Sequence, residues 1–151
     1  MEALAAAIEA SGLAGALRQS RWTYPAVNAA HLLGVALLVG AVVPMDLRLA
    51  GRWRREMPLE GVLRLLRPMA VAGACLAVAT GGLLFSVQAT DYAALPLFWA
   101  KLGLVGLGIV NALALGAWLP AAPAAVRAGI GLVSLAVWIG ALICGRLIGY
   151  L

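Results

Sequence analysis

The chain has 151 residues, of which 64% are hydrophobic and 11% are charged, and its mean hydropathy is +1.01. Ordinary soluble domains are about 45–50% apolar and about 25% charged, and a soluble domain of this length cannot bury so much apolar surface, so a soluble enzyme is excluded. The net charge is +5, but the basic residues flank apolar runs and form no patch interleaved with aromatics. Nucleic acid is therefore excluded as a partner.

Residues 1–21 form a short, mildly apolar segment with charged residues at its edges. A segment of this length and weak helical periodicity predicts an amphipathic helix lying on the membrane surface, and the alternative is a partly ordered tail. Glu2 and Glu9 stand where a signal peptide would carry basic residues, so we expect no cleavage.

Residues 22–151 are expected to form a single transmembrane domain of four helical spans. A helix of about 27 residues reaches roughly 40 Å, which covers a bilayer core of roughly 30 Å with its interface. Short connections between the apolar runs predict an all-α, transmembrane four-helix bundle with up-down-up-down topology. The predicted spans are residues 23–49, 60–88, 96–119 and 123–150.

The lysines and arginines are distributed unequally between the two ends of these spans. Seven of the eleven lie on the side of the loop at residues 51–58, and four lie on the other side. By the positive-inside rule, the loop is expected to be cytoplasmic and both termini non-cytoplasmic.

A layer of polar and small residues is predicted in the outer half of the bundle. His31 is the only histidine and lies about eight residues into the first span, or roughly 12 Å deep at helical rise. Counting back from the outer ends of the other spans brings further candidates to a similar or shallower depth. The candidate cofactor-binding residues are His31, Asn28, Gly81, Gly82, Lys101 and Arg146.

This layer favours haem b or quinone as a cofactor. A neutral imidazole can ligate haem iron, which makes His31 the candidate metal ligand, or it can hydrogen-bond a quinone carbonyl. Lys101 and Arg146 could hold an anionic group, and Gly81 would allow a flat ring to approach the backbone. In the alternative interpretation, His31 is a hydrogen-bonded packing residue, the two cations extend to the membrane surface, and the glycines serve helix packing.

Two-histidine haem ligation cannot occur within one copy, since the chain has one histidine. It would require a shared haem in a homodimer, a partner chain or a five-coordinate iron. Copper is disfavoured because Met45, Met57 and Met69 cluster far from His31. A proton or ion pathway lacks a carboxylate in mid-membrane, and Asp46 is expected to pair at the loop side, with Arg64 or Arg67 as candidates.

Several segments resemble an uncharacterised family of small bacterial four-span membrane proteins over about residues 22–150. They are HLLGVALLVG, DLRLAG, RLLRPMAVAG, TGGLLFS, FWAKLGLVGLGIVNA and WIGALICGRLIGY. More distantly, a histidine in the first span and the F-x-x-K opening of a later one resemble CopD-type copper-resistance membrane proteins and b-type cytochromes. The resemblance implies haem, copper or quinone chemistry in a bacterial inner membrane.

Two classes of function remain open from the sequence. The first is a redox-associated membrane protein that binds haem b or quinone near His31. The second is a non-catalytic membrane subunit or small-molecule carrier that packs with itself or with a partner membrane protein. No nucleophile–base pair or paired carboxylates indicate an enzyme, so enzymatic activity is not expected.

Overall fold

The computed structural model describes residues 2–118 and 122–151, and these residues are helical except at short connections. Two short helices precede four long ones, and a further short helix follows the second long one. The helices are α1 (Glu2–Glu9), α2 (Gly12–Gln19), α3 (Thr23–Leu49), α4 (Leu59–Val87), α5 (Ala89–Ala94), α6 (Pro96–Trp118) and α7 (Ala124–Ile148). The predicted all-α four-helix architecture is confirmed.

The four long helices are long and apolar enough to cross a membrane. The mean hydropathy of their most apolar windows is 2.1 for α3, 2.0 for α4, 1.5 for α6 and 2.1 for α7. The bounds of α3 are those predicted, and α4 and α7 begin and end within two residues of prediction. The predicted end of the third span at Leu119 lies outside the described residues. The chain is a multi-pass membrane protein.

Helices α3 and α4 form a tightly packed antiparallel hairpin. Backbone approaches backbone at two glycines: a Cβ built on Gly34 would lie 2.6 Å from the Ala77 nitrogen, and one built on Gly73 would lie 2.5 Å from the Leu38 nitrogen. No residue with a side chain fits at either position without moving a helix. The small residues of α4 therefore serve helix packing here, as their four-residue spacing predicts.

Helix α3 also packs on α7, and α7 packs on α6. The α3–α7 contact is close at Gly131, where an added Cβ would meet the Asp46 carbonyl oxygen at 2.8 Å. The α6–α7 contact is close at Gly108, which faces the Trp138 ring. Trp138 also joins Leu38 and neighbouring apolar side chains of α3 in the buried core.

The fourth side of the bundle, between α4 and α6, is the most open. Within the described residues, the two backbones do not pack together as the other neighbouring pairs do. Side chains join them near the ends: the rings of Phe85 and Phe98 stack at 5.2 Å, and Arg67 donates to the Ala112 carbonyl at 3.5 Å. We refer to this gap between α4 and α6 as the seam.

The N-terminal segment is two helices, where the sequence predicted one. The break falls at Ala10 and Ser11, and the Ser11 hydroxyl caps α2 by accepting from the Ala14 amide. Both helices contact α4, and α1 also contacts α5, so the segment folds back onto the end of the bundle. The hydroxyl of a serine is a favourable acceptor for free amides at a helix start, which explains the new helix.

Candidate functional site

The only histidine is held against α4 by its Nδ1 atom. This atom lies 2.9 Å from the Ala77 carbonyl oxygen and 3.1 Å from the Thr80 hydroxyl oxygen. The Thr80 hydroxyl in turn donates to the Leu76 carbonyl at 2.5 Å, one turn back along α4. His31 is half-buried and Thr80 is buried, so the ring is fixed by a neighbouring helix.

This network assigns the proton of a neutral His31 ring to Nδ1. The Ala77 carbonyl can only accept, and the single Thr80 proton is already donated to Leu76, so Nδ1 must be the donor to both. The Nε2 atom then carries a free lone pair. It has no hydrogen-bond partner among the described residues and is not among their fully buried atoms. A histidine whose Nδ1–H is bonded to a backbone carbonyl is oriented as metal-ligating histidines are.

Two of the other predicted residues lie next to this ring. A Cβ built on Gly81 would lie 3.1 Å from the His31 Cε1 atom, so the absence of a side chain at Gly81 leaves room for the imidazole. Lys101 of α6 is near enough for its charge to act on the His31 ring. Its Nζ atom lies 3.3 Å from the position of a Cβ on Gly145 of α7. The structure thus packs the His31 ring against Gly81, while Lys101 packs against Gly145 of α7.

The remaining predicted residues form no hydrogen bond with His31 or Lys101 among the described residues. Asn28 is exposed, one turn before His31, and Gly82 has no atom within 4 Å of an added Cβ. Arg146 is exposed and interacts locally, donating to the Tyr150 hydroxyl and lying 4.5 Å from the centre of that ring. We therefore take His31, Gly81 and Lys101 with Thr80 as the candidate site.

Sequence reasoning missed Thr80 as a partner of the histidine. Its depth in the second span was comparable to that of His31, but depth does not show which face of a helix a residue occupies. The available signal was that Thr80 directly precedes Gly81, which the depth count places level with His31.

The structure also shows a buried carboxyl group that the sequence assigned to the membrane surface. Asp46 is only 4% exposed, and its Oδ2 atom has no hydrogen-bond partner among the described residues. Neither Arg64 nor Arg67 forms an ion pair with Asp46, so the predicted pairing is wrong. Both arginines are exposed on α4, whereas the Asp46 carboxyl is buried. The buried Ser134 of α7 lies beside the carboxyl instead. Asp46 is on the face of α3 that packs on α7, which a span-by-span count cannot reveal.

His31 is the candidate ligand for a metal or cofactor at this site. Among the described residues, no three His, Cys, Asp or Glu side chains lie together. Both cysteines are free thiols, and Cys144 is next in sequence to the glycine that contacts Lys101. The atom that the site offers to such a ligand is the Nε2 nitrogen of His31.

Fold and site together define a class: a multi-pass helical membrane protein with one histidine fixed by a neighbouring helix. Comparisons with protein-family models, with curated proteins and with solved structures give no match. The function is therefore to be inferred from the geometry of the site itself.

Proposed function

We propose that this chain is a small bacterial inner-membrane protein, redox-associated, that binds haem b or quinone at His31. The observation that carries the proposal is the hydrogen bond from Nδ1–H to the Ala77 carbonyl, which leaves Nε2 with no hydrogen-bond partner among the described residues. Nitrogen held in this way is a preformed ligand, because little rotational freedom is lost on binding. Bound haem would supply one-electron chemistry, and bound quinone would supply coupled electron and proton transfer.

The tautomer favours haem of the two cofactors. A neutral ring with its proton on Nδ1 offers a lone pair at Nε2, which suits an iron atom, whereas a quinone carbonyl requires a donor. Lys101 could provide that donor to a quinone, or could pair with a haem propionate. One copy supplies one histidine, so haem would be five-coordinate or shared with a second copy or a partner.

The proposal includes an orientation, with the α3–α4 loop in the cytoplasm and both termini outside. Its support is the charge distribution, with seven of eleven lysines and arginines at the loop side. In this orientation His31 lies in the outer half of the bundle.

An absorption spectrum of the detergent-purified protein tests the cofactor, together with quinone analysis of its lipid extract. We expect a Soret band or co-purified quinone, and loss of either in His31→Ala. Thermal unfolding of the variant checks that it folds. A protein with no Soret band, no quinone and no response to His31→Ala in haem titration would refute the proposal.

Two adjacent glycines offer a matched pair of variants. In Gly81→Ala, the new Cβ lies 3.1 Å from the imidazole Cε1, so the ring must shift, and we expect cofactor affinity to fall about tenfold. Gly82→Ala introduces a methyl group into open space and should bind normally. Equal affinities in the two variants would mean that the ligand does not depend on the position of the His31 ring.

A second candidate is a non-catalytic subunit or carrier that packs with itself or with another membrane protein. The observation favouring it is α6, whose most apolar window is almost entirely unburied within the chain. Native mass spectrometry of the protein extracted in mild detergent tests this function. A cofactor-free monomer with no co-purifying protein would count against it.

A further inference from the structure

A pocket lined by three arginines lies at the loop end of the bundle. Its volume is about 230 Å³, and its lining residues are Arg48, Leu49, Arg54, Leu59 and Arg127. Arg48 is 17 positions after His31 on the same helix, or about 25 Å away at helical rise. The pocket is therefore separate from the candidate cofactor site, and it would persist whether or not that site binds a cofactor.

The three arginines come from three different parts of the chain. The Nε atom of Arg48 donates to the Met57 carbonyl at 2.6 Å, which ties the end of α3 to the end of the loop. Arg54 lies against Gly51, whose φ of +102° produces a turn that a residue with a side chain would strain. Arg127 occupies the first turn of α7. Three separate segments thus bring their cationic groups to one pocket.

The positive charge of this pocket is not neutralised by the protein. None of the three arginines forms an ion pair with a described carboxylate, although Glu56 and Glu60 lie in the adjoining loop and helix. The amides at the start of α7 add partial positive charge on the same side. Three guanidinium groups in one small volume repel each other, and an anion between them removes that repulsion.

We propose that this pocket binds a phosphate-bearing anion, either the headgroup of an anionic phospholipid or free phosphate. Guanidinium groups bind phosphate oxygens through two parallel hydrogen bonds, and three of them can surround one phosphate group. The pocket lies where α3 ends and α4 begins, the depth at which lipid headgroups meet a membrane protein. Leu49 and Leu59 provide an apolar side to the pocket that a lipid backbone can contact.

Native mass spectrometry of the purified full chain tests the proposal. The probes are phosphatidylglycerol, phosphatidylcholine as the zwitterionic control with no net charge, and inorganic phosphate, each titrated separately. The test variant Arg54→Gln/Arg127→Gln retains Arg48 and its bond to the loop. The control variant Arg52→Gln/Arg55→Gln removes the same amount of charge at two exposed loop arginines that do not line the pocket.

We expect the test variant to bind phosphatidylglycerol at least about tenfold more weakly than the wild type, and the control variant less than about threefold more weakly. Phosphatidylcholine should bind equally to all three. Binding of lipid alone identifies a headgroup site, and binding of inorganic phosphate with the same dependence on the variants identifies a free-anion site. Equal losses in the two variants, or no binding of either probe, would overturn the proposal. Thermal unfolding of both variants confirms that they are folded.

Discussion

At the scale of single residues, the histidine and its two acceptors on α4 form a defined unit. The backbone carbonyl of Ala77 and the hydroxyl of Thr80 both accept from Nδ1, so the neutral ring has one tautomer. Such a unit needs no cofactor to form, since all of its hydrogen bonds are internal. It can therefore be examined in the cofactor-free protein.

The tautomer of His31 can be measured directly, because the chain has one histidine and ¹⁵N-histidine labelling gives one pair of ring nitrogen signals. In mildly alkaline buffer we expect Nδ1 to be protonated and Nε2 to resonate far downfield as an unprotonated nitrogen. Thr80→Val should retain this tautomer and shift the Nδ1 signal, since the Ala77 carbonyl still accepts. A proton on Nε2 in the wild type would contradict the assigned network.

Asp46 shows what sequence reasoning cannot resolve at this scale. Its position near the end of an apolar run, followed by arginines, predicts a surface carboxylate. The burial of Asp46 results from the close approach of α7 at Gly131, which brings Ser134 to the same level. Only the packing of two helices far apart in sequence decides whether that carboxyl meets water.

At the scale of elements, the α3–α4 hairpin depends on two glycines that allow backbones to touch. We expect Gly34→Ala to destabilise the protein by about 1–3 kcal/mol, because its Cβ would lie 2.6 Å from the Ala77 nitrogen and neither backbone can move alone. Thermal unfolding followed by circular dichroism measures the change. In the same assay Gly82→Ala should be neutral or stabilise by up to about 1 kcal/mol, through higher helix propensity. Equal stability of Gly34→Ala and Gly82→Ala would show that α3 and α4 are not in close backbone contact at Gly34.

The N-terminal helices are joined to the bundle by a small polar network. The Glu9 carboxylate accepts from the amide and hydroxyl of Thr90, and Arg18 donates to the Val87 carbonyl at 3.0 Å. Arg18 also lies 3.6 Å from Glu9 as an ion pair. The hydrogen bonds from Thr90 lower the pKa of Glu9, and the charge of Arg18 lowers it further.

The lowered pKa gives this contact a defined pH dependence. A carboxyl whose folded-state pKa is below its unfolded value stabilises the contact fully above the unfolded value, here 4.5, and loses that contribution as pH falls through the lower folded-state pKa. The NMR shift of the Thr90 amide should therefore titrate with a midpoint below 4.5. Glu9→Gln should abolish this titration and Glu2→Gln should leave it intact. A midpoint at or above 4.5 would exclude the hydrogen bonds.

At the scale of the whole molecule, the sequence predicts the helices well and their arrangement poorly. Apolar run length and the prolines and glycines between runs determine where α3, α4 and α7 begin and end, so these bounds agree within two residues. The order of packing depends on where small residues face each other, as at Gly131 and Gly108, and such pairings are non-local. For the same reason depth counting grouped Arg146 with His31, whereas the structure pairs it with Tyr150.

The orientation is a prediction at this scale. We expect alkaline phosphatase fused after residue 151 to be active and green fluorescent protein at the same position to be dark, since both termini are expected outside the cytoplasm. Insertion of the same reporters near Trp53, in the loop between α3 and α4, should give the reverse result. A fluorescent C-terminal fusion would invert the assignment of inner and outer halves.

The seam between α4 and α6 has a consequence for how any ligand of His31 would arrive. A gap between two spanning helices is open to the surrounding lipid, and His31 of α3, which is bonded to α4 through Nδ1, keeps an Nε2 atom with no hydrogen-bond partner among the described residues. A hydrophobic molecule dissolved in the bilayer would reach the imidazole by two-dimensional diffusion. The rate of loading would then follow the mole fraction of that molecule in the membrane, and its concentration in the aqueous phase would matter only through partitioning.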